Sequence, residues 1–248
     1  MTYKKYIIFF CISLYVLGAV SCGIEEHYYL PQIPEENISI NLNTEAVIVI
    51  PPIRNEYYYA GYYAIFYRIY TSNYLTSSST DLPQISSFLS SDYNYFHMLS
   101  TPANTSSITN LNTFRSRNYF ELEFEGADIA ELLKKNSEPV TLRIRFPPNY
   151  YENPVASLND GPEYNLRRSG RLISPEPRDD LYFRNTSELR AFENANSNIN
   201  ADVAGRSGEM LYTYVSMYIV TAGTNPSNFS PIYSNPTHIN VFKLADSD

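Results

Sequence analysis

Tyr62-Tyr63-Ala64-Ile65-Phe66-Tyr67-Arg68-Ile69-Tyr70 is the stretch on which the fold turns. Successive side chains of an extended segment point to opposite faces. Tyr63, Ile65, Tyr67 and Ile69 therefore share one face, and Ala64, Phe66, Arg68 and Tyr70 share the other. Tyrosine, phenylalanine and isoleucine suit a pleated surface, and no glycine or proline interrupts the run. The stretch reads as a long strand with large side chains on both faces. Leu211–Ala222 has the same character: Thr213, Val215, Met217 and Ile219 alternate with Tyr212, Tyr214, Tyr218 and Val220.

Shorter strand signals surround these two. Ile38, Ile40 and Leu42 alternate with polar residues, and Glu45–Ile50 ends at Pro51-Pro52, which cannot donate to a ladder. Tyr119–Glu125 sets Phe120, Leu122 and Phe124 against Glu121, Glu123 and Glu125. Val140–Phe146 sets Leu142, Ile144 and Phe146 against Thr141, Arg143 and Arg145. If those two segments pair antiparallel, the glutamate face meets the arginine face, and such cross-strand pairs contribute roughly 0.2–1 kcal/mol each. Thr237–Leu244 supplies the last strand, with His238 read as a turn residue before it. Short helices are expected over Pro83–Ser90, Ile129–Lys135 and Ser187–Ala195, capped by Asp81, Asp128 and Thr186. Pro147–Asp180 reads as a long loop with a small hairpin over Tyr164–Ile173, and Asn194–Asn200 as a polar stretch.

The composition agrees with a β protein. Among 248 residues there are 24 Tyr and 13 Phe, with no Trp and only 9 Gly. The first 21 residues hold two of the 18 Lys and Arg and none of the 26 acids, so the remainder carries 16 − 26 = −10. A surface that acidic disfavours general nucleic-acid binding, which needs a basic footprint. It equally disfavours lying flat on anionic lipid.

Lys4 and Lys5 precede an apolar run over Tyr6–Leu17, and Gly18-Ala19-Val20-Ser21 leads to Cys22. That order is a charged n-region, a short h-region and small residues before a cleavage point. The run falls short of the roughly 20 apolar residues a spanning helix needs. The segment resembles a bacterial lipoprotein signal peptide over residues 1–21, with Cys22 as the lipidated, palmitate-bearing residue of the mature chain. The remaining cysteine, Cys11, lies inside the signal. The resemblance implies a chain without an intrachain disulfide, stabilised through its core. Residues 22–36 then form a tether, with a single domain over 37–248.

The strands are also similar to those of a fibronectin type III module. Gly61–Arg68 looks like its third strand. Tyr214–Val220 followed by Phe229-Ser230-Pro231-Ile232-Tyr233-Ser234-Asn235-Pro236 looks like its last two strands and their turn. The resemblance covers residues 37–73 and 210–244. It implies a mainly β, Ig/fibronectin type III-like antiparallel β-sandwich with two large insertions, at about 74–116 and 147–208, carrying the short helices. Tyr67-Arg68-Ile69-Tyr70, the Ser-Pro-Ile-Tyr-Ser segment and the signal together resemble uncharacterised spirochaete lipoproteins. Such folds host many functions.

Few residue groups suggest chemistry. His27, His97 and His238 lack metal-ligand spacing, and no metal or other cofactor is expected. Glu121, Glu123 and Glu125 invite a hydrolase reading, but residues along one strand face point the same way rather than across a cleft. Asp179-Asp180 and Asn159-Asp160-Gly161 could bind calcium in a loop, without EF-hand spacing. No P-loop, nucleophile elbow or dinucleotide fingerprint occurs, so the chain is not read as an enzyme. Arg167, Arg168, Arg171 and Arg178 form a basic cluster suited to an acidic partner such as a glycan, a phosphate headgroup or an acidic protein. Tyr212, Tyr214 and Tyr218 would face away from the core. They form an interface if left open, and a second packed layer if an insertion covers them.

The expected protein is therefore a lipid-anchored module of the bacterial cell envelope, non-catalytic, binding or scaffolding through protein or glycan contacts. A structural subunit docking on an envelope complex through the tyrosine face is the alternative. A carbohydrate-active hydrolase comes after both.

Overall fold

The computed structural model describes residues 30–41, 44–53, 59–72, 96, 111–125, 138–149, 152–168, 182–183, 203–204 and 212–244. The chain is mainly β, with two packed sheets whose pairings are antiparallel except for one short parallel contact.

The first sheet contains β1 (Ile38–Asn41), β2 (Glu45–Ile50), β5 (Glu123–Phe124), β6 (Val140–Arg145), β7 (Val155–Leu158) and β8 (Glu163–Arg167). Their order is β1-β2-β6-β7-β8-β5. The second is built on β3 (Ala60–Ser72) and β10 (Tyr212–Thr224), which pair along nearly their whole lengths, from Tyr212 opposite Ser72 to Gly223 opposite Ala60. The short β4 (Phe120–Glu121) and the parallel β9 (Val203–Ala204) lie on the free edge of β3. Along the other edge of β10 the returning chain forms β11 (Pro231–Tyr233) and then β12 (Thr237–Lys243). A register shift between Met217 and Tyr218 lets β12 accommodate one extra residue.

Period-two alternation explains why the sheets face each other. Ala46, Ile48 and Ile50 of β2 and Leu142 and Ile144 of β6 meet Ile65, Tyr67 and Ile69 of β3 and Val215, Met217 and Ile219 of β10. That shared interior is the main core. Tyr63 is buried with it, its hydroxyl donating to the Pro51 carbonyl at 2.7 Å. Burial pushes this phenol up to about 12.

Phe120-to-Phe124 crosses between the layers. Phe120 pairs with Tyr67 in one sheet, and Phe124 pairs with Leu166 in the other. Leu122, between them, is buried and donates its N–H to the Ile65 carbonyl at 2.7 Å. The expected single strand over 119–125 is thus two short strands on two sheets.

The expected glutamate-on-arginine pairing does not form. β6 lies between β2 and β7, so its outward arginines meet other acids. Arg143 pairs with Glu45 and Asp160, and Arg145 with Glu163.

The segment read as a long loop contains a hairpin. β7 turns into β8 through Asn159 and Asp160, both at positive φ (49° and 54°), with the Gly161 N–H closing onto the Leu158 carbonyl at 2.8 Å. Two successive left-handed residues make a type I′ turn, whose twist matches the flanking strands. The turn expected at Ser169-Gly170 lies outside the described residues, as do the three expected helices. A further short helix, α1, spans Leu111–Arg115.

Residues from Leu30 onward belong to the folded body rather than to a free tether. Leu30 and Ile33 are buried in the main core. The Thr221 hydroxyl donates to the Pro31 carbonyl and the Thr237 hydroxyl to the Ile33 carbonyl, both at 2.5 Å.

Candidate functional site

The arginine cluster is divided by the fold. Arg167 closes β8 opposite Glu123 and forms a bridge with Tyr182. Its guanidinium lies 5.7 Å from the centre of the Tyr182 ring. The next residue, Arg168, turns inward and is only 4% exposed. Arg171 and Arg178 lie outside the described residues.

Beside Arg167 is a polar group that residue spacing did not announce. One oxygen of Glu125 accepts from the Asn165 amide at 2.8 Å, and the other from the Tyr182 hydroxyl at 2.7 Å. The backbone is joined as well, the Glu125 N–H donating to the Asn165 carbonyl at 2.9 Å. These hydrogen bonds, Asn165 first and Tyr182 second, hold the Glu125 carboxyl below its usual range, and Arg167 adds to the effect. A glycosidase acid needs the reverse, a carboxyl kept protonated near neutral pH. Glu125 is suited to fixing an edge of the sheet and to orienting Tyr182. Asn165 and Tyr182 meet it through pairing between segments distant in sequence.

Asn159-Asp160-Gly161, considered as a calcium loop, serves as the hairpin turn. The Asn159 side-chain oxygen accepts from the Thr141 N–H at 2.8 Å, and Asp160 lies beside Arg143. Glu45 is held below the usual carboxylate range chiefly by its hydrogen bond with Arg143. Among the described residues no group of three or more His, Cys, Asp or Glu is placed to hold a metal ion.

The face carrying the tyrosines is packed. Tyr214 is fully buried and Tyr218 is 2% exposed. The Phe96 ring lies 4.6 Å from that of Tyr218, and Tyr119 approaches the same ring edge-on at 5.5 Å. Phe66 stacks on Phe114, which approaches Tyr233 edge-on. Phe66, Phe96, Phe114, Tyr119, Tyr218 and Tyr233 form a second apolar cluster on the outer side of the β3–β10 sheet. The Tyr119 hydroxyl lies 3.0 Å from that of Tyr70 and donates to the Ser216 hydroxyl at 3.3 Å. An interface on this face would require Tyr214 and Tyr218 to be open, and both are shut in. The side chain of Tyr212 lies outside the description.

His238 packs beside this cluster, against Tyr218, and lies in a strand rather than in a turn. It sits within β12, opposite Tyr218, the two ring centroids 5.0 Å apart. Its Nε2 is shut off from water. Burial pushes the imidazole down to about 4, so it is neutral at physiological pH. His27 and His97 lie outside the described residues, as does Cys22.

The most exposed large apolar side chain described is Phe229, at 80%. It lies in the loop joining β10 to β11, with a φ of 60° that a bulky residue rarely adopts. The loop fixes that conformation. The Phe229 N–H donates to the Asn225 carbonyl at 2.8 Å, and the Asn225 N–H to the Ser230 carbonyl at 2.9 Å. Asn225 and Asn228 side chains accept from the Ser227 and Ser230 N–H groups.

Among the described residues no helix is long and apolar enough to cross a membrane. Comparison of the chain with protein-family models, with curated proteins and with solved structures found no match in any of the three.

Proposed function

We propose that this chain is a lipid-anchored protein of the bacterial cell envelope, of the spirochaete lipoprotein type, whose β-sandwich is a non-catalytic binding or scaffolding module. The observation that carries the reading is the order Lys4-Lys5, apolar Tyr6–Leu17, small residues, Cys22, followed within eight residues by the buried Leu30. An acyl chain on Cys22 would contribute about 0.8 kcal/mol per buried CH2, and two or more chains hold firmly.

The strand wiring supports an Ig/fibronectin-like scaffold. In immunoglobulin-type sandwiches one sheet runs A-B-E-D and the other C-F-G. Here β1, β2 and β6 lie side by side as A, B and E would, and β10 lies between β3 and β12 as F lies between C and G. β7 occupies the place of D, but follows β6 in sequence. On this reading residues 74–116 are an insertion that contributes Phe96 and Phe114 to the outer layer. The insertion placed at 147–208 would begin after β8, since β7 and β8 extend the sheet itself.

Cys22→Ala tests the anchor. The wild-type chain is expected with the membrane fraction and the variant in the soluble fraction. A variant that still sediments with membranes at high salt would overturn the lipoprotein reading.

A further inference from the structure

We propose that Phe229 and its loop form a membrane-contacting tip, which seats the anchored sandwich end-on against the bilayer. The inference rests on the lipid anchor proposed above and adds a second, independent contact. Three observations meet at one end of the fold.

The first is direction. The Pro31 carbonyl bonds Thr221 and the Ile33 carbonyl bonds Thr237, which pairs with Ile219. The chain therefore runs from the Thr221 level of β10 to the Ile219 level, away from the loop that follows Thr224. Pro31 thus lies nearer than Ile33 to the end that carries Phe229. From Thr221 to the end of β10 is three residues, about 10 Å.

The second is reach. Leu30 follows Cys22 by eight positions, so an acylated Cys22 lies at most about 28 Å from Leu30. A leash that short keeps this end of the sandwich near the lipid surface.

The third is the loop itself. Asn225-Pro226-Ser227-Asn228-Phe229-Ser230 carries no charge, in a chain whose residues after the signal sum to −10. An acidic surface is repelled by anionic headgroups; this tip can approach them. Phe229 is held out by the hydrogen bonds across the loop, in a backbone conformation unusual for phenylalanine. A strained, fixed and exposed residue points to a role outside the fold, and an apolar phenylalanine ring is stabilised by entering the boundary between headgroups and acyl chains. The acyl chains supply retention, and Phe229 supplies orientation.

The absence of tryptophan from the sequence makes the test specific. Phe229→Trp and, at the opposite end of β1, Ile40→Trp each give a single-tryptophan protein. The full chain of each is purified from membranes and reconstituted into phosphatidylethanolamine–phosphatidylglycerol vesicles. The F229W emission is expected to shift to the blue on reconstitution and to be quenched by lipids brominated on their acyl chains. The I40W emission is expected to do neither. F229W protein that floats with vesicles and shows neither effect overturns the tip and leaves the anchor standing. Protein that does not associate with vesicles overturns both. An F229W emission unchanged by pure lipid, together with a photo-crosslinking residue at position 229 that traps a protein in native membranes, assigns Phe229 to a protein partner and overturns the lipid contact. Mass spectrometry of Cys22 reports the acyl chain separately.

Discussion

The rings of Phe66 and Phe114 stack face to face, 3.9 Å apart and 7° from parallel. Phe66 belongs to the longest strand pair of the fold, and Phe114 to a short helix that reaches it from outside the sandwich. This contact brings the 111–119 segment onto the outer face of the sheet and gives the protein its third layer. Phe114→Ala is expected to lower stability by about 3–5 kcal/mol, as deletion of a buried ring does. Denaturant unfolding measures it. An unchanged midpoint would show that the outer layer is dispensable to the sandwich.

Tyr119 joins the same layer to the sheet through hydroxyls. Its contacts with Tyr70 and Ser216 are buried, and a hydroxyl that loses its partner away from water is costly. Tyr119→Phe keeps the ring and removes the link. The expected loss is about 1–3 kcal/mol, smaller than that of Phe114→Ala. A neutral outcome in thermal melts would mean that Tyr70 and Ser216 find other partners.

His238 should make stability depend on pH. Folding keeps its imidazole neutral, with the pKa lowered from 6.5 to about 4 by burial. Between those values the unfolded chain binds the additional proton, so stability falls as pH falls. The contribution is complete above about pH 6.5 and is lost as the pH drops toward 4, by at most about 3 kcal/mol. Urea midpoints compared at pH 7 and pH 5 should therefore drop more for the wild type than for His238→Gln. Equal drops would show that the ring gains water or a proton-accepting partner on titration.

Two glycines at the register shift of the β3–β10 pair should respond in opposite ways. A Cβ on Gly223 would come within 2.2 Å of the Tyr59 carbonyl oxygen, at the register shift beside Ala222. Backbone cannot step aside as a flexible side chain can, so Gly223→Ala is expected to cost about 1–3 kcal/mol or more. At Gly61 the nearest neighbour of an added Cβ is the Ala222 carbonyl oxygen at 4.0 Å, an ordinary contact. Gly61→Ala is expected to be neutral or to stabilise by about 0.4–1 kcal/mol, through the unfolded chain. Thermal melts of the two variants that moved together would contradict this packing of the ladder.

The sequence by itself determined which residues share a face. Alternation in 62–70, 140–146 and 213–220 divides the inward from the outward side chains, because an extended chain leaves no other arrangement. It also placed the ends of β2, where Pro51-Pro52 stops the ladder. The pairing of strands was decided by tertiary structure alone. Arg143 and Arg145 could meet any acidic face, and which sheet neighbour supplies it depends on layer order. The β7–β8 hairpin carries a local signal in Asn159-Asp160-Gly161, a turn sequence inside the stretch 147–180 whose composition reads as a long loop. The Glu125–Asn165–Tyr182 group had no such signal, since its members come together only when the crossing strand and β8 pair. The tyrosine face shows the division most plainly. Periodicity gave the direction of Tyr214 and Tyr218, but whether water or Phe96 lies beyond them depends on a segment more than 100 residues away in the chain.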